Sequence, residues 1–225
     1  MTTSIYDGTG KVARVDTWKD GVLQKQGAGT SDYGSRSEVA FKDGKKHGEE
    51  RVLGKDGRLA SLITWNRGVK DGKELEFADD GKRIIKETIW QAGVVKELTE
   101  LYLNGNPKLK EIYESPKRKL VKEFWDTGKV SREGAMVGCD ARAYRPWCED
   151  GVHRSYFESG ARRSEVTYRM GKRHGPSLEW WENGRPETVA AYADDKLTEA
   201  KKWDRDGKLV ADDQFEADGS RKIKR

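Results

Sequence analysis

Short apolar segments alternate with glycine turns along the chain. A large apolar residue stands four positions before a glycine at regular intervals, and Gly34 falls in the same series. Successive glycines lie 23 or 24 residues apart, except for one step of 32. The pairs are Tyr6 with Gly10, Leu53 with Gly57, Phe77 with Gly81, Leu101 with Gly105, Phe124 with Gly128, Tyr156 with Gly160, Trp180 with Gly184 and Trp203 with Gly207. A fixed period of this length indicates a repeat architecture.

A second series lies between the first, with an aromatic residue three positions before its turn, as in Trp65 and Gly68. Each repeat therefore holds two short segments rich in β-branched and aromatic residues, which favour strands. Asp-Gly and Asn-Gly pairs supply the positive φ of tight hairpins. The sequence predicts an all-β fold: an elongated, twisted single antiparallel sheet of about nine tandem β-hairpin repeats, with a period of about 24 residues. One domain is expected over residues 1–225.

Composition and charge narrow the choice of function. Hydrophobic residues make up 34% and charged residues 37%, which alone would favour disorder, but 8 Trp, 8 Tyr and 5 Phe favour a thin ordered sheet. The net charge of +5 is small and its signs are interspersed, so no nucleic-acid partner is expected. No apolar run reaches the roughly 18 residues of a membrane-spanning helix. The N-terminus lacks the apolar stretch of a secretory signal peptide, although a removed signal stays an alternative.

The one long step locates an insertion. It exceeds the period by eight residues, and Cys139 and Cys148 enclose eight residues. This arrangement predicts an inserted loop at 139–148, closed by a Cys139–Cys148 disulfide. A disulfide requires an oxidising compartment, so we expect a periplasmic protein, with a cytoplasmic one as the alternative. The other interpretations are two free cysteines, or a zinc site that includes His153.

The inserted loop carries residues that favour protein interfaces. We expect Tyr144, Arg145 and Trp147 to bind a partner, because Tyr, Trp and Arg dominate interface energetics. In the alternative, the loop folds back and Trp147 covers the sheet.

A second aromatic row stands three positions before the first-series glycines. It consists of Tyr102, Trp125, Phe157 and Trp181. Strand side chains alternate, so this row should face away from the residues four positions before the glycines. Four rings on successive hairpins would form a stripe about 30 Å long. We expect these rings to bind a partner. The alternative is that they shelter neighbouring Lys and Arg stems.

No catalytic constellation is evident. His47 and His174 occupy equivalent repeat positions, in the segments GKKHG and GKRHG, which lie about five periods apart once the insertion is subtracted. The recurrence therefore indicates turn chemistry and not a duplicated phosphate site. The glycine turns match neither the P-loop nor the dinucleotide fingerprint. We expect no enzyme activity, no cofactor and no metal.

The repeat unit resembles a known family. The stretches FKDGKKHGEERVLGKDGRL, WNRGVKDGKELEFADDGKR and YRMGKRHGPSLEWWENGRP resemble MORN repeats, in the bacterial variant form found in antitoxins and immunity proteins. The resemblance implies a protein that binds a cognate toxin, such as a phospholipase or other membrane-acting effector of type VI secretion, and occludes its active site. The alternative is a scaffold that binds phospholipid or associates with membranes. Exposed strand edges could also pair two copies into a homodimer.

Overall fold

The computed structural model describes residues 1–6, 8, 12–30 (28–30 as backbone only), 36–139, 146–216 and 220–222. This part of the chain contains strands and turns but no helix. No helix among the described residues is long and apolar enough to cross a membrane. The chain divides into two compact units, Met1–Asn106 and Pro107–Arg225. The all-β class and the hairpin succession are confirmed, while a single domain over residues 1–225 stays a prediction.

The first unit contains nine strands, and each pairs antiparallel with its successor. They are β1 (Thr2–Tyr6), β2 (Val12–Lys19), β3 (Val22–Thr30), β4 (Arg36–Lys42), β5 (Lys45–Leu53), β6 (Leu59–Asn66), β7 (Val69–Phe77), β8 (Ile84–Gln91) and β9 (Val94–Leu101).

The second unit repeats this organisation with nine further strands, again paired antiparallel in succession. They are β10 (Pro107–Ser115), β11 (Arg118–Phe124), β12 (Val130–Gly138), β13 (Trp147–Tyr156), β14 (Arg162–Arg169), β15 (Lys172–Trp180), β16 (Pro186–Ala193), β17 (Lys196–Trp203) and β18 (Leu209–Gln214).

Two kinds of turn alternate, as the two glycine series predict. The second series makes two-residue turns with positive φ at both positions, such as Asp43 (52°) and Gly44 (71°). The first series makes longer turns. In one of them, the Gly184 amide donates to the Trp181 carbonyl, and the Trp181 amide donates to the Arg185 carbonyl. A β-bulge follows each of the longer turns for which the register is described. One residue of the following strand is therefore left unpaired, and the pairing register shifts there.

The recurring GKKHG and GKRHG segments join successive hairpins. The Lys46 carbonyl accepts a hydrogen bond of 2.8 Å from the amide of Gly68, in the next hairpin turn. The equivalent Arg173 carbonyl accepts one of 2.9 Å from the Asp195 amide. The two segments therefore perform the same scaffold role in different repeats.

The buried side chains of the first unit form one row across the strands. Residues directly paired on neighbouring strands point to the same face. We call this row the central row, and the face that carries it the central-row face. In the first unit it consists of Asp16, Gln26, Val39, Glu50, Ile63, Glu74, Thr88 and Leu98. The most buried described side chains of this unit all belong to it.

The carboxylates of the central row are stabilised by repeated clusters. Glu50 is 5% exposed and accepts hydrogen bonds from Lys46 Nζ (2.8 Å) and Trp65 Nε1 (2.8 Å). Lys46 Nζ also lies 4.7 Å from the centre of the Trp65 ring. Lys70, Glu74 and Trp90 form the same cluster one repeat later. Each Glu therefore neutralises a lysine and satisfies an indole N–H within one repeat.

Candidate protein-binding groove

The central row of the second unit is built from smaller side chains. It consists of Glu111, Val121, Gly134, His153, Val166, Ser177, Ala190, Ala200 and Asp213. Where the first unit has Glu50, Ile63 and Glu74, this one has Ser177, Ala190 and Ala200 in succession. These three side chains are smaller than those at the equivalent positions of the first unit.

His153 fills the place that Gly134 leaves open. A Cβ on Gly134 would lie 2.2 Å from Nδ1 of the His153 ring. The Nε2 atom lies 2.7 Å from the Ala135 carbonyl oxygen, and the Tyr168 ring packs edge-on at 5.2 Å. His153 is 6% exposed, and this burial lowers its pKa below the ordinary value.

This depressed pKa makes stability depend on pH. The unfolded chain binds a proton at His153 more readily than the native chain. The contribution of His153 to the free energy of unfolding is therefore complete above the unfolded pKa of about 6.5 and is lost as pH falls. Arg132 opposes protonation, while Glu149 and Asp150 favour it without cancelling the effect of burial. We expect urea unfolding to show stability falling from about pH 7 to about pH 5. The decrease should be smaller in His153→Gln, and an equal decrease in both proteins would contradict this explanation.

The groove lies beside His153 on the central-row face and encloses about 440 Å³. Ser155 and Ser164 lie on its floor, with hydroxyl oxygens 2.6 Å apart. Tyr168 and Glu179 also line it. The groove therefore offers hydroxyl, aromatic and carboxylate groups along three neighbouring strands.

An aromatic bay lies next to the groove, at the turn ends of the strands. Phe157 and Trp181, both half-buried, line a second depression of about 440 Å³. Arg163 and Glu187 line both depressions, so the two are adjacent. The Arg163 guanidinium lies 5.7 Å from the Phe157 ring centre, and that of Arg205 lies 5.2 Å from the Trp181 ring centre. We call the groove and the bay together the second-unit groove.

The structure brings together two of the four predicted rings. Phe157 and Trp181 share the bay, and their arginines also show the sheltering that the alternative interpretation expected. Trp125 begins the equivalent turn between β11 and β12, is half-buried and does not line the bay; its Nε1 is buried without a hydrogen-bond partner. Tyr102 begins a turn of the first unit and is also half-buried. Partner binding by these rings stays a prediction.

The inserted loop is closed as the sequence predicts. Cys139 and Cys148 form a disulfide, with Cα atoms 5.7 Å apart, and the Cys139 amide donates to the Pro146 carbonyl. The free-thiol and zinc interpretations therefore do not apply to these cysteines. Among the described residues, no three His, Cys, Asp or Glu side chains are grouped so as to hold a metal ion. Tyr144 and Arg145 lie outside the described residues.

Trp147 packs on the sheet at the end of this loop. Its ring meets Tyr113 edge-on at 6.2 Å, and Lys119 Nζ lies 4.8 Å from its centre. Lys119 is 7% exposed and pairs with Glu111 at 2.5 Å. Glu111 also accepts a hydrogen bond from the Tyr113 hydroxyl, and burial raises the pKa of Tyr113. The arrangement matches the alternative in which Trp147 covers the sheet. Partner binding by Trp147 stays a prediction.

Removing the disulfide should destabilise the chain. In the double variant Cys139→Ser/Cys148→Ser, we expect the free energy of unfolding to fall by about 2–3 kcal/mol, because the unfolded chain regains the freedom of a short closed loop. Chemical denaturation measures this change. The free energy of unfolding of the wild-type protein in a reducing agent should equal that of the double variant. Equal stability of oxidised and reduced wild type would contradict the expectation.

Several groove residues were not singled out by their positions in the sequence. Arg163 and Glu187 are each the extra residue of a β-bulge. Arg163 is skipped between the pairs that Ser155 and Tyr156 make with β14, and Glu187 is skipped between the pairs that Glu179 and Trp180 make with β16. The sequence shows that both residues lie three positions after a first-series glycine. That position indicates a groove residue only once the strand register is known.

Comparison with known proteins supports the repeat assignment. A family model described as MORN repeat variant matches residues 149–170, which cover most of β13, the following turn and β14. The match supports a MORN-repeat protein and includes Phe157 and Arg163 of the second-unit groove. No curated protein matches the chain.

Proposed function

We propose that this MORN-repeat protein is a binding scaffold whose second-unit groove receives a protein partner. The observation that carries the proposal is the groove itself, which lies next to the half-buried rings of Phe157 and Trp181. Aromatic rings beside a polar floor are typical of protein-binding surfaces. The scaffold would act by binding alone, without catalysis.

The finer proposal concerns the identity of the partner. The sequence resembles immunity proteins, so the partner proposed is a cognate toxin whose active site the scaffold occludes. The Cys139–Cys148 disulfide requires an oxidising compartment, and we place this encounter in the periplasm. Such a toxin would be encoded beside the gene for this chain.

Adjacent tryptophans provide a matched test. Trp180 and Trp181 are both half-buried and each carries an arginine on its ring, but only Trp181 lines the second-unit groove. We expect Trp181→Ala to weaken binding of the protein encoded by the neighbouring gene by about 2 kcal/mol or more, roughly thirtyfold. Trp180→Ala should bind like wild type. Calorimetric titration measures both affinities, and thermal unfolding checks that both variants fold.

Two results would contradict the proposal. One is equal affinity of wild type and a folded Trp181→Ala variant. The other is absence of binding to the neighbouring protein together with sedimentation on anionic vesicles, which would support the membrane scaffold instead. In that case modest salt should abolish the vesicle binding.

A further inference from the structure

The second unit carries another ordered row of side chains on the face opposite its central row. We call this face the reverse face and the row the reverse row. Successive strand pairings from β13 to β18 place in the row Arg154, Glu165, Leu178, Val189, Lys201 and Asp212. Each of these residues is next in sequence to a central-row residue, so strand alternation directs it to the reverse face. The row has two apolar residues at its centre and two charged residues on either side.

The centre of the reverse face is an exposed apolar patch. Val189 is 39% exposed and pairs with the half-buried Leu178 of the neighbouring strand. Pro176 and Ala191 pair next to them on the same two strands, and Pro176 is exposed. These four adjacent side chains leave apolar surface in contact with water, which favours association with another apolar surface.

The charges on the two sides of this patch are antisymmetric. On one side Arg154 pairs with Glu165 at 2.9 Å, and on the other Lys201 pairs with Asp212 at 3.9 Å. Across the strands the row therefore reads positive, negative, apolar, apolar, positive, negative. Positions at equal distances from the centre carry opposite signs, Glu165 against Lys201 and Arg154 against Asp212. A surface that contacts a second copy of itself through a twofold axis must be self-complementary in this way.

We propose that the reverse face binds the reverse face of a second copy of this chain. The twofold axis runs parallel to the strands, between β15 and β16, as in sheets that pack face to face in an aligned orientation. Glu165 then faces Lys201 of the second copy, and Leu178 faces Val189 of the second copy. This arrangement leaves the second-unit groove, on the other face, open in both copies. The inference therefore does not rest on the proposed function.

The charges select this axis. Each ion pair stays intact and meets an ion pair of the reversed order in the second copy, so the four charges alternate in sign. A twofold axis perpendicular to the strands and centred on the row would instead place every charge against the same residue of the second copy, which is repulsive.

Charge reversal followed by mixing tests the inference. Glu165→Lys and Lys201→Glu each place like charges opposite one another twice in a homodimer. In a dimer of one copy of each variant, the two reversed charges face each other and the two unchanged residues face each other, so both contacts are attractive again. We expect wild type to dimerise with a Kd on the order of 10 μM. Each single variant should raise this Kd at least about fiftyfold, and their equimolar mixture should return it to within about fivefold of wild type. Sedimentation velocity measures the three values.

Lys122→Glu is the matched control. The side chains of Lys122 and Lys201 are 50% and 54% exposed and each pairs with a carboxylate, but Lys122 lies on β11, outside the six strands of the reverse row. This variant should dimerise like wild type.

Three results would overturn the inference. They are a monomeric wild type at about 100 μM, a mixture as monomeric as its two components, and a dimer that Glu165→Lys leaves intact, which would favour pairing through strand edges instead. Circular dichroism checks that the variants fold. If a charge variant does not fold, Val189→Lys replaces it, because the added charge would face Leu178 of the second copy and should raise the Kd at least about fiftyfold. An unchanged Kd in Val189→Lys would also overturn the inference.

Discussion

Replacing Glu50 with alanine is expected to lower the free energy of unfolding by about 2–4 kcal/mol, as for other buried charge networks. Glu50 is the acceptor for both Lys46 and the Trp65 indole, and it is 5% exposed. Its removal leaves the indole N–H unpaired on a buried face and Lys46 without its counter-charge. Urea denaturation measures the change, and the midpoint should fall with little change in slope.

An exposed pair provides the control for this prediction. Lys86 and Glu76 lie 2.9 Å apart, close to the 2.8 Å of Lys46 and Glu50, but the Glu76 side chain is 41% exposed. Glu76→Ala should therefore cost no more than about 1 kcal/mol. Equal losses in Glu50→Ala and Glu76→Ala would show that the cluster does not stabilise the first unit as the structure indicates.

Replacing Gly134 with alanine should destabilise the chain by roughly 3 kcal/mol, at the upper end of overpacking effects. The added Cβ would lie 2.2–2.4 Å from three atoms of the His153 ring. The ring cannot move freely, because it is held by the Ala135 carbonyl and by Tyr168. Thermal or urea unfolding measures the loss.

A double-mutant cycle isolates this steric cause. In the His153→Ala background the space beside residue 134 is open, so Gly134→Ala should cost less than about 1 kcal/mol there. The coupling between the two sites should therefore be about 2 kcal/mol. A loss of the same size in both backgrounds would contradict the His153 ring as the cause.

The hairpin scaffold could be predicted because local chemistry determines it. Glycines such as Gly44 and Gly184 adopt positive φ in the turns, and their spacing gives the repeat directly. The turn at Asp194 and Asp195 lacks glycine but keeps positive φ at both positions, so the hairpin is preserved where the motif is lost. The disulfide was predicted for a similar reason, because Cys139 and Cys148 bracket the only break in the period.

The buried face could not be predicted, because most of its buried residues are polar or charged. The row contains Glu50, Thr88 and Ser177, which a hydrophobic pattern assigns to solvent. The large apolar residues four positions before the glycines, which dominate the sequence pattern, are only half-buried, and Tyr6 is exposed. Partners distant in the sequence, such as Trp65 for Glu50, make this burial possible.

The site was predicted in part for the same reason. Phe157 and Trp181 stood out as large rings at one repeat position. The space beside them is also lined by Arg163 and Glu187, each the extra residue of a β-bulge. Such residues carry no signal in the sequence until the strand register is known.

The most direct test of the proposed binding surface mixes the wild-type chain with the protein encoded by the neighbouring gene. Hydroxyl-radical footprinting reports the accessibility of each tryptophan side chain with and without the partner. The proposed groove predicts that partner binding protects Trp181 and leaves Trp180 as reactive as in the free chain. Protection of Trp180 with unchanged labelling of Trp181 would contradict the assignment of the second-unit groove as the binding surface.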